Sequence, residues 1–176
     1  VIGRLDPRIG MTLGFGLLVV SGVWLMSLDL NVGVELLLMN AVLQGFAVGV
    51  IWVPLTVLTF ATMPSRDMPE ATAVFHLLRN IGSSLFISFS VTEIVRSGAM
   101  NYSRMTEMVS PYNRALSMPN VMGGWTMDTA QGLARLSREI DRQAAMIGYV
   151  NAFGMYMAVS GAAILFVMLA KRRRQG

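Results

Sequence analysis

The feature that most constrains this chain is how its charge is bunched. Three stretches, Ile9 to Leu28, Leu36 to Ser65 and Gln143 to Ala170, contain no Asp, Glu, Lys or Arg at all. Crossing the hydrocarbon of a bilayer takes roughly 20 helical residues, and each stretch is long enough. Composition agrees: 54% of the 176 residues are hydrophobic and 14% charged, against roughly a quarter charged in an ordinary soluble domain. The sequence therefore predicts an all-α membrane protein whose first partner is the lipid bilayer.

Four spans are expected, at about 9–28, 35–60, 72–95 and 145–170. The first two are joined by a few residues around Asp29 to Val34 and form an antiparallel hairpin. Met63-Pro64-Ser65-Arg66-Asp67-Met68-Pro69-Glu70 ends the second span and starts the third. Residues 1–95 thus hold a basic flank and three spans, 96–144 a long loop, 145–170 the fourth span and 171–176 a basic tail. Lys and Arg near span ends set orientation. Arg4 and Arg8, Arg66, and Lys171-Arg172-Arg173-Arg174 all fall on one side of an even number of spans, so both termini are expected in the cytoplasm. The loop then lies outside, although it carries Arg96, Arg104, Arg114, Arg135, Arg138 and Arg142; long hydrophilic segments obey the charge rule poorly. Within it, Ser110-Pro111-Tyr112-Asn113 reads as a turn, and Asn101-Tyr102-Ser103 matches a glycosylation sequon too short to carry weight. Thr126-Met127-Asp128 offers helix-capping side chains ahead of Leu133, Leu136 and Ile140, with Arg135 and Glu139 spaced to pair, so a short amphipathic helix should lead into the fourth span.

The chemistry concentrates in the second and third spans. At roughly 100° per residue, Thr72, His76, Arg79, Asn80, Ser83, Ser84 and Ser90 share one side of the third span, with Val74, Leu78, Ile81, Leu85 and Phe89 opposite. A charge such as Arg79 costs roughly 2.5 to 3.5 kcal/mol at mid-membrane, so the polar side should meet protein or a hydrated cavity. The competing reading is that Arg79 and His76 snorkel or cap a neighbouring helix. In the second span Asn40 and Gln44 stand one turn apart, Gly45 and Gly49 should permit close helix approach, and Pro54 should kink the helix. Asn40, Gln44, His76, Arg79 and Asn80 are the candidate substrate-binding, cavity-lining residues; the plainer alternative for each is an interhelical hydrogen bond. Gly154, Ala158 and Ala162 argue for tight packing of the fourth span, with Asn151 and Tyr156 its polar exceptions.

Several function classes drop away. With no cysteine and one histidine, a Cys-ligated metal or a multi-His cage is excluded, and no intramembrane hydrolase constellation appears; no catalytic residue and no cofactor is expected. The net charge of +4 sits beside apolar runs, where basic residues set topology rather than bind nucleic acid. No span has a carboxylate near its middle: Glu35 and Glu93 lie toward the ends and Asp29 in a turn. Val1 to Arg8 lacks the parts of a signal peptide, and the chain is expected to begin inside a longer protein.

Gly3-Arg4-Leu5-Asp6-Pro7-Arg8-Ile9-Gly10 looks like the Gly-x-Leu-x-Asp-Arg-x-Gly cytoplasmic loop of the major facilitator superfamily, with Asp6 one place early. Gln44-Gly45-Phe46-Ala47-Val48-Gly49, Val53-Pro54-Leu55-Thr56, Met63-Pro64, Ala71 and Leu78-Arg79-Asn80-Ile81-Gly82-Ser83-Ser84 resemble spans eleven to thirteen of the fourteen-span drug:proton antiporters of the EmrB/QacA type. Val109-Ser110-Pro111-Tyr112-Asn113, Gln143-Ala144 and Tyr149-Val150-Asn151-Ala152-Phe153 resemble that family's large loop and last span, with Asn151 where many relatives have an acid. The resemblance implies the carboxy-terminal third of such a transporter, from the second bundle of the fold, in a bacterial inner membrane. It implies small hydrophobic drugs as substrates and a proton gradient as energy source, with the coupling acids in the missing amino-terminal spans. A membrane-fusion adaptor and an outer-membrane channel follow as partners from the resemblance alone, and transport by this piece by itself is not expected. A second hypothesis is a stand-alone four-span accessory or scaffold protein; a membrane enzyme ranks last.

Overall fold

A computed structural model describes residues 6–110, 112–117 and 127–169. Arg4 and the rest of the first five residues, Pro111, the Thr126 cap and the basic tail from Lys171 lie outside the described residues. The described chain is helical: α1 (Pro7–Met26), α2 (Val34–Phe60), α3 (Met68–Glu107) and α4 (Ala130–Leu169), with one 3-10 turn at Arg114–Ser117. All four α-helices are long and apolar enough to cross a membrane, which is the all-α membrane class expected from the charge-free runs.

The helix ends follow from local chemistry. Asp6 caps α1, its carboxylate accepting the Arg8 N–H at 3.2 Å with Pro7 at the first helical position, a site where the missing proline donor costs nothing. The displaced aspartate of the loop motif is therefore a helix cap. The α1–α2 turn is held by Asn31 N–H donating to Asp29 Oδ1 at 3.0 Å, an Asx turn. The turn at 110–113 is closed by Asn113 N–H donating to the Ser110 carbonyl at 2.9 Å.

Two differences from the sequence reading concern length. α3 continues to Glu107, well past the expected end near 95, and α4 begins at Ala130 rather than near 145. Each has 40 residues and spans about 60 Å at 1.5 Å per residue, twice the roughly 30 Å of hydrocarbon. Hydropathy marks only the portion that suits lipid; nothing in the polar continuation breaks the helix. The amphipathic helix is accordingly the first turns of α4, not a separate element. Its cap is Thr129, whose Oγ1 accepts the Gly132 N–H at 3.1 Å, and Glu139 accepts from Gln143 at 2.9 Å where Arg135 had been the expected partner.

The chain divides into two compact units, 1–88 with 153–176, and 89–152. In the first, α1 packs antiparallel to α2. A Cβ on Gly14 would come within 2.4 Å of Ile51 Cγ1 and 3.0 Å of the Ala47 carbonyl oxygen, and one on Gly10 within 3.3 Å of Pro54. On its other side α1 meets the end of α4, where a Cβ on Gly22 would stand 2.9 Å from that of Met157. Leu18, Ala47 and Ile51 form the core of this unit, with Phe15, Leu17 and Tyr156 against it. Close approach thus comes from the glycines of α1. Gly45 and Gly49, expected to supply it, have nothing within 4 Å. In the second unit the last third of α3 packs against the first half of α4, where a Gly148 Cβ would lie 2.6 Å from the Ile94 carbonyl oxygen.

Candidate functional site

The five candidate residues fall into two groups. Asn40 sits in the α1–α2 seam, 1% exposed. Its Oδ1 accepts the Ser21 hydroxyl at 2.9 Å and its Nδ2 donates to the Ser21 carbonyl at 3.2 Å, while Gln44 Nε2 donates to the same Oδ1 at 2.9 Å. An amide buried in an apolar seam must be bonded on both its atoms, and Ser21, itself fully buried, makes that possible. Asn40 consequently ties two helices and fixes Gln44 instead of offering its own amide to open space. Gln44, half-buried, is the member of the pair that reaches the edge.

The second group lies on the first turns of α3. His76, Arg79 and Asn80 are exposed. The Arg79 guanidinium lies 4.5 Å from the centroid of the Trp52 ring, a cation–π contact in which the ring's negative face holds the charge. Trp52 meets Phe75 edge to face at 6.1 Å between centroids, and Phe60 meets Phe75 at 5.6 Å. These rings join the end of α2 to the start of α3. Between the two helices runs an open groove of about 340 Å³ lined by Thr59, Met63, Val74, Phe75 and Leu78, with Asp67 and Glu70 at its edge. The two groups do not coincide: Gln44 and Trp52 are eight residues apart on α2, about 12 Å along the axis. Apart from the Trp52 contact, the polar side of α3 (Arg79, Asn80, Ser83 and Ser84) is exposed, and so is the apolar side at Val74, Leu78, Ile81, Leu85 and Phe89.

A further polar cluster was not singled out from sequence. Ser97 is 1% exposed, and its Oγ accepts from Asn151 at 2.7 Å and Asn101 at 3.3 Å. Asn101 also donates to the Ser97 carbonyl at 2.8 Å. The available signal was Ser97 and Asn101 at i, i+4 next to Gly98, opposite an asparagine in an otherwise apolar span. All donors and acceptors are amides and hydroxyls, so the cluster fastens a hairpin and carries no titratable group. Among the described residues, no group of three or more His, Asp or Glu stands close enough to hold a metal ion.

Comparison with known proteins gives the context for these surfaces. No protein-family model matches the chain, and no solved structure matches it. In sequence it is 26% identical over 154 residues to the "Multidrug export protein EmrB" of Haemophilus influenzae, covering 84% of this chain and 30% of that protein. It is 26% identical over 130 residues to the protein of the same name from Escherichia coli K12, covering 73% of this chain and 25% of that one. The "Probable multidrug resistance protein EmrY" of E. coli K12 is 26% identical over 127 residues, with 72% and 24% covered. The chain spans less than a third of the length of these relatives. It is a membrane-embedded sequence relative of the EmrB and EmrY multidrug export proteins.

Proposed function

We propose that this chain supplies the last four spans of a fourteen-span, proton-coupled exporter of amphipathic hydrophobic compounds, in the second helical bundle of a major facilitator fold. The observation that carries the reading is the similarity to multidrug export proteins along 72 to 84% of the chain. The geometry supports it: between Arg79 and Phe89, α3 leaves both its polar and its apolar sides uncovered, as a helix does when its companions belong to another part of the protein. In this reading Gln44, positioned by Asn40, and the His76, Arg79 and Asn80 side of α3 line one wall of the central cavity of an alternating-access machine. Both termini are in the cytoplasm of a bacterial cell and the α3–α4 hairpin projects outward, toward a membrane-fusion adaptor and an outer-membrane channel. The proton gradient drives transport, and the titrating acids lie in spans this chain does not contain.

The test is the full gene. An in-frame upstream sequence encoding about ten more spans, and altered susceptibility to lipophilic toxicants on deletion, are the expected results; a start codon and ribosome site at this point would favour a stand-alone four-span accessory protein. In the full-length protein, Gln44→Leu and Arg79→Leu should change the resistance profile at normal expression, and an unchanged profile removes them from the cavity wall. Vesicles holding only this polypeptide should show no proton-driven dye efflux.

A further inference from the structure

We infer that Arg79, held on the Trp52 ring, is a charge selector: it admits the carboxylate or phenolate end of aromatic compounds to this wall and keeps aromatic cations off it. As a statement about exported substrates this rests on the export reading above; as a statement about binding it needs only residues of α2 and α3.

Arg79 is alone at its depth. Among the described residues of the unit formed by 1–88 and 153–176, every other Asp, Glu, Lys or Arg lies in a turn or within three residues of a helix end. The flanking carboxylates of α3 are Glu70, nine residues before Arg79, and Glu93, fourteen after it; the nearer is about 14 Å away along the axis. A guanidinium on a flexible stem can reach toward water. This one lies instead 4.5 Å from the centroid of the Trp52 ring, and Trp52 stands eight residues before the end of α2, about 12 Å along it. The ring keeps the charge inside the apolar zone.

That contact decides what the wall accepts. The part of it that attracts a cation is the Trp52 ring, and Arg79 already sits there. An arriving cation meets a like charge in surroundings that screen it less than bulk water does. The N–H fork of the same guanidinium has no carboxylate or carbonyl partner among the described residues, and it matches a carboxylate bidentately. His76 stands one turn before Arg79, and Asn80 one turn after His76, all neighbours on the helix surface. Both are exposed and each supplies an N–H. Phe75, 6.1 Å from Trp52, and Phe60, 5.6 Å from Phe75, continue the aromatic surface and give the ring of an aromatic anion its apolar bed.

Fluorescence titration of the full chain in a neutral detergent tests this with three probes that share one ring system: anthracene-9-carboxylate, anthracene-9-carboxamide and (anthracen-9-ylmethyl)trimethylammonium. The carboxylate should bind about tenfold more tightly than the carboxamide, the ratio expected when a hydrogen bond becomes charge-assisted, and the quaternary probe should bind most weakly. Arg79→Met should bring the carboxylate down to the carboxamide level and raise the quaternary probe about two- to fivefold, the worth of the freed ring. Adding Trp52→Leu should remove that gain. Arg79→Lys, which keeps the charge without the fork, should still reject the cation while losing part of the carboxylate preference. Arg66→Met, which removes a charge from an exposed turn, should leave the order unchanged, and unaltered far-UV circular dichroism shows that the variants fold. The same order of probes in wild type and Arg79→Met overturns the proposal. So does a wild-type preference for the quaternary probe, which would place a cation at Asp67 and Glu70 on the neighbouring groove. In the full-length protein, Arg79→Met should move resistance from acidic toward cationic toxicants; equal loss for all compounds overturns the selector in favour of a structural pairing of Arg79 with an acid of another span. The expected binding order in the purified chain, with no export by the full-length protein, supports the selector and removes the export reading.

Discussion

α1 and the membrane part of α3 are both apolar enough to span, yet their surroundings are opposite. In its most apolar stretch α1 is 28% buried and α3 0%. Both carry small residues: Gly14, Ser21 and Gly22 in α1, Gly82, Ser83 and Ser84 in α3. In α1 they admit the backbones of α2 and α4; in α3 they face open space. Water does not drive helices together inside lipid, so association there depends on close packing and on bonds between polar groups. The difference teaches that a small-residue stripe is a capacity for packing, filled in α1 by helices of this chain and available in α3 to helices or lipid from elsewhere.

The most direct way to break the comparison is to fill the α1 seam. Gly14→Ala places a methyl 2.4 Å from Ile51 Cγ1 and 3.0 Å from a carbonyl oxygen that belongs to the α2 backbone. Neither helix can give way without unseating its neighbours, and overpacking of this kind costs about 1 to 3 kcal/mol. Thermal unfolding of the detergent-purified protein should register the full loss.

Second in size is Asn40→Leu. It removes both bonds to Ser21 and the acceptor that holds Gln44. Interhelical polar contacts in membranes average roughly 0.6 kcal/mol and reach about 1.7, so a loss of about 1 to 2 kcal/mol is expected in the same measurement. Ser21→Ala should cost less than Asn40→Leu, because the Ser21 carbonyl remains as a partner for Asn40. The third is the contact between Arg79 of α3 and Trp52 of α2. Arg79→Met should lose about 0.5 to 1 kcal/mol, the worth of an exposed cation–π pair, and Trp52→Leu should not add to it in a double-mutant cycle. Full additivity would mean that the ring does not hold the charge.

How much of this was legible in the sequence depends on which force acted. The four helices were, because hydropathy reports the medium directly and bunched charge marks the crossings. The extent of α3 and α4 was not: a polar helix and a polar loop have the same hydropathy, and only the unbroken run of helix-compatible residues from Glu93 to Glu107 hinted at the difference. Asn40 was legible as important but not as buried, since an amide one turn from another looks the same whether it faces a cavity or a serine nineteen residues back. The antiparallel pairing of α1 with α2 was legible, but the role of Gly10 and Gly14 in it was missed in favour of Gly45 and Gly49, because composition names glycines without saying which have a neighbour. Arg79 was correctly placed among polar residues, while its ring partner on another helix required coordinates.

The smallest expected effect decides whether the comparison holds. Gly82 of α3 has nothing within 4 Å, so Gly82→Ala should leave stability within about 0.5 kcal/mol, with any change favourable because alanine is the better helix former. The same methyl group that unseats α1 at Gly14 is thus nearly silent in α3. A loss comparable to that of Gly14→Ala would mean that α3 is already packed in the purified chain, and with four helices present the packing surface would have to come from a second copy. The reverse contrast sharpens the reading of the whole transporter: if the polar side of α3 meets companion helices in the full-length protein, Gly82→Ala becomes destabilising there while remaining silent in this chain. Silence in both places would mean that no companion helix packs on α3 at Gly82, leaving lipid or an open cavity as its neighbour there.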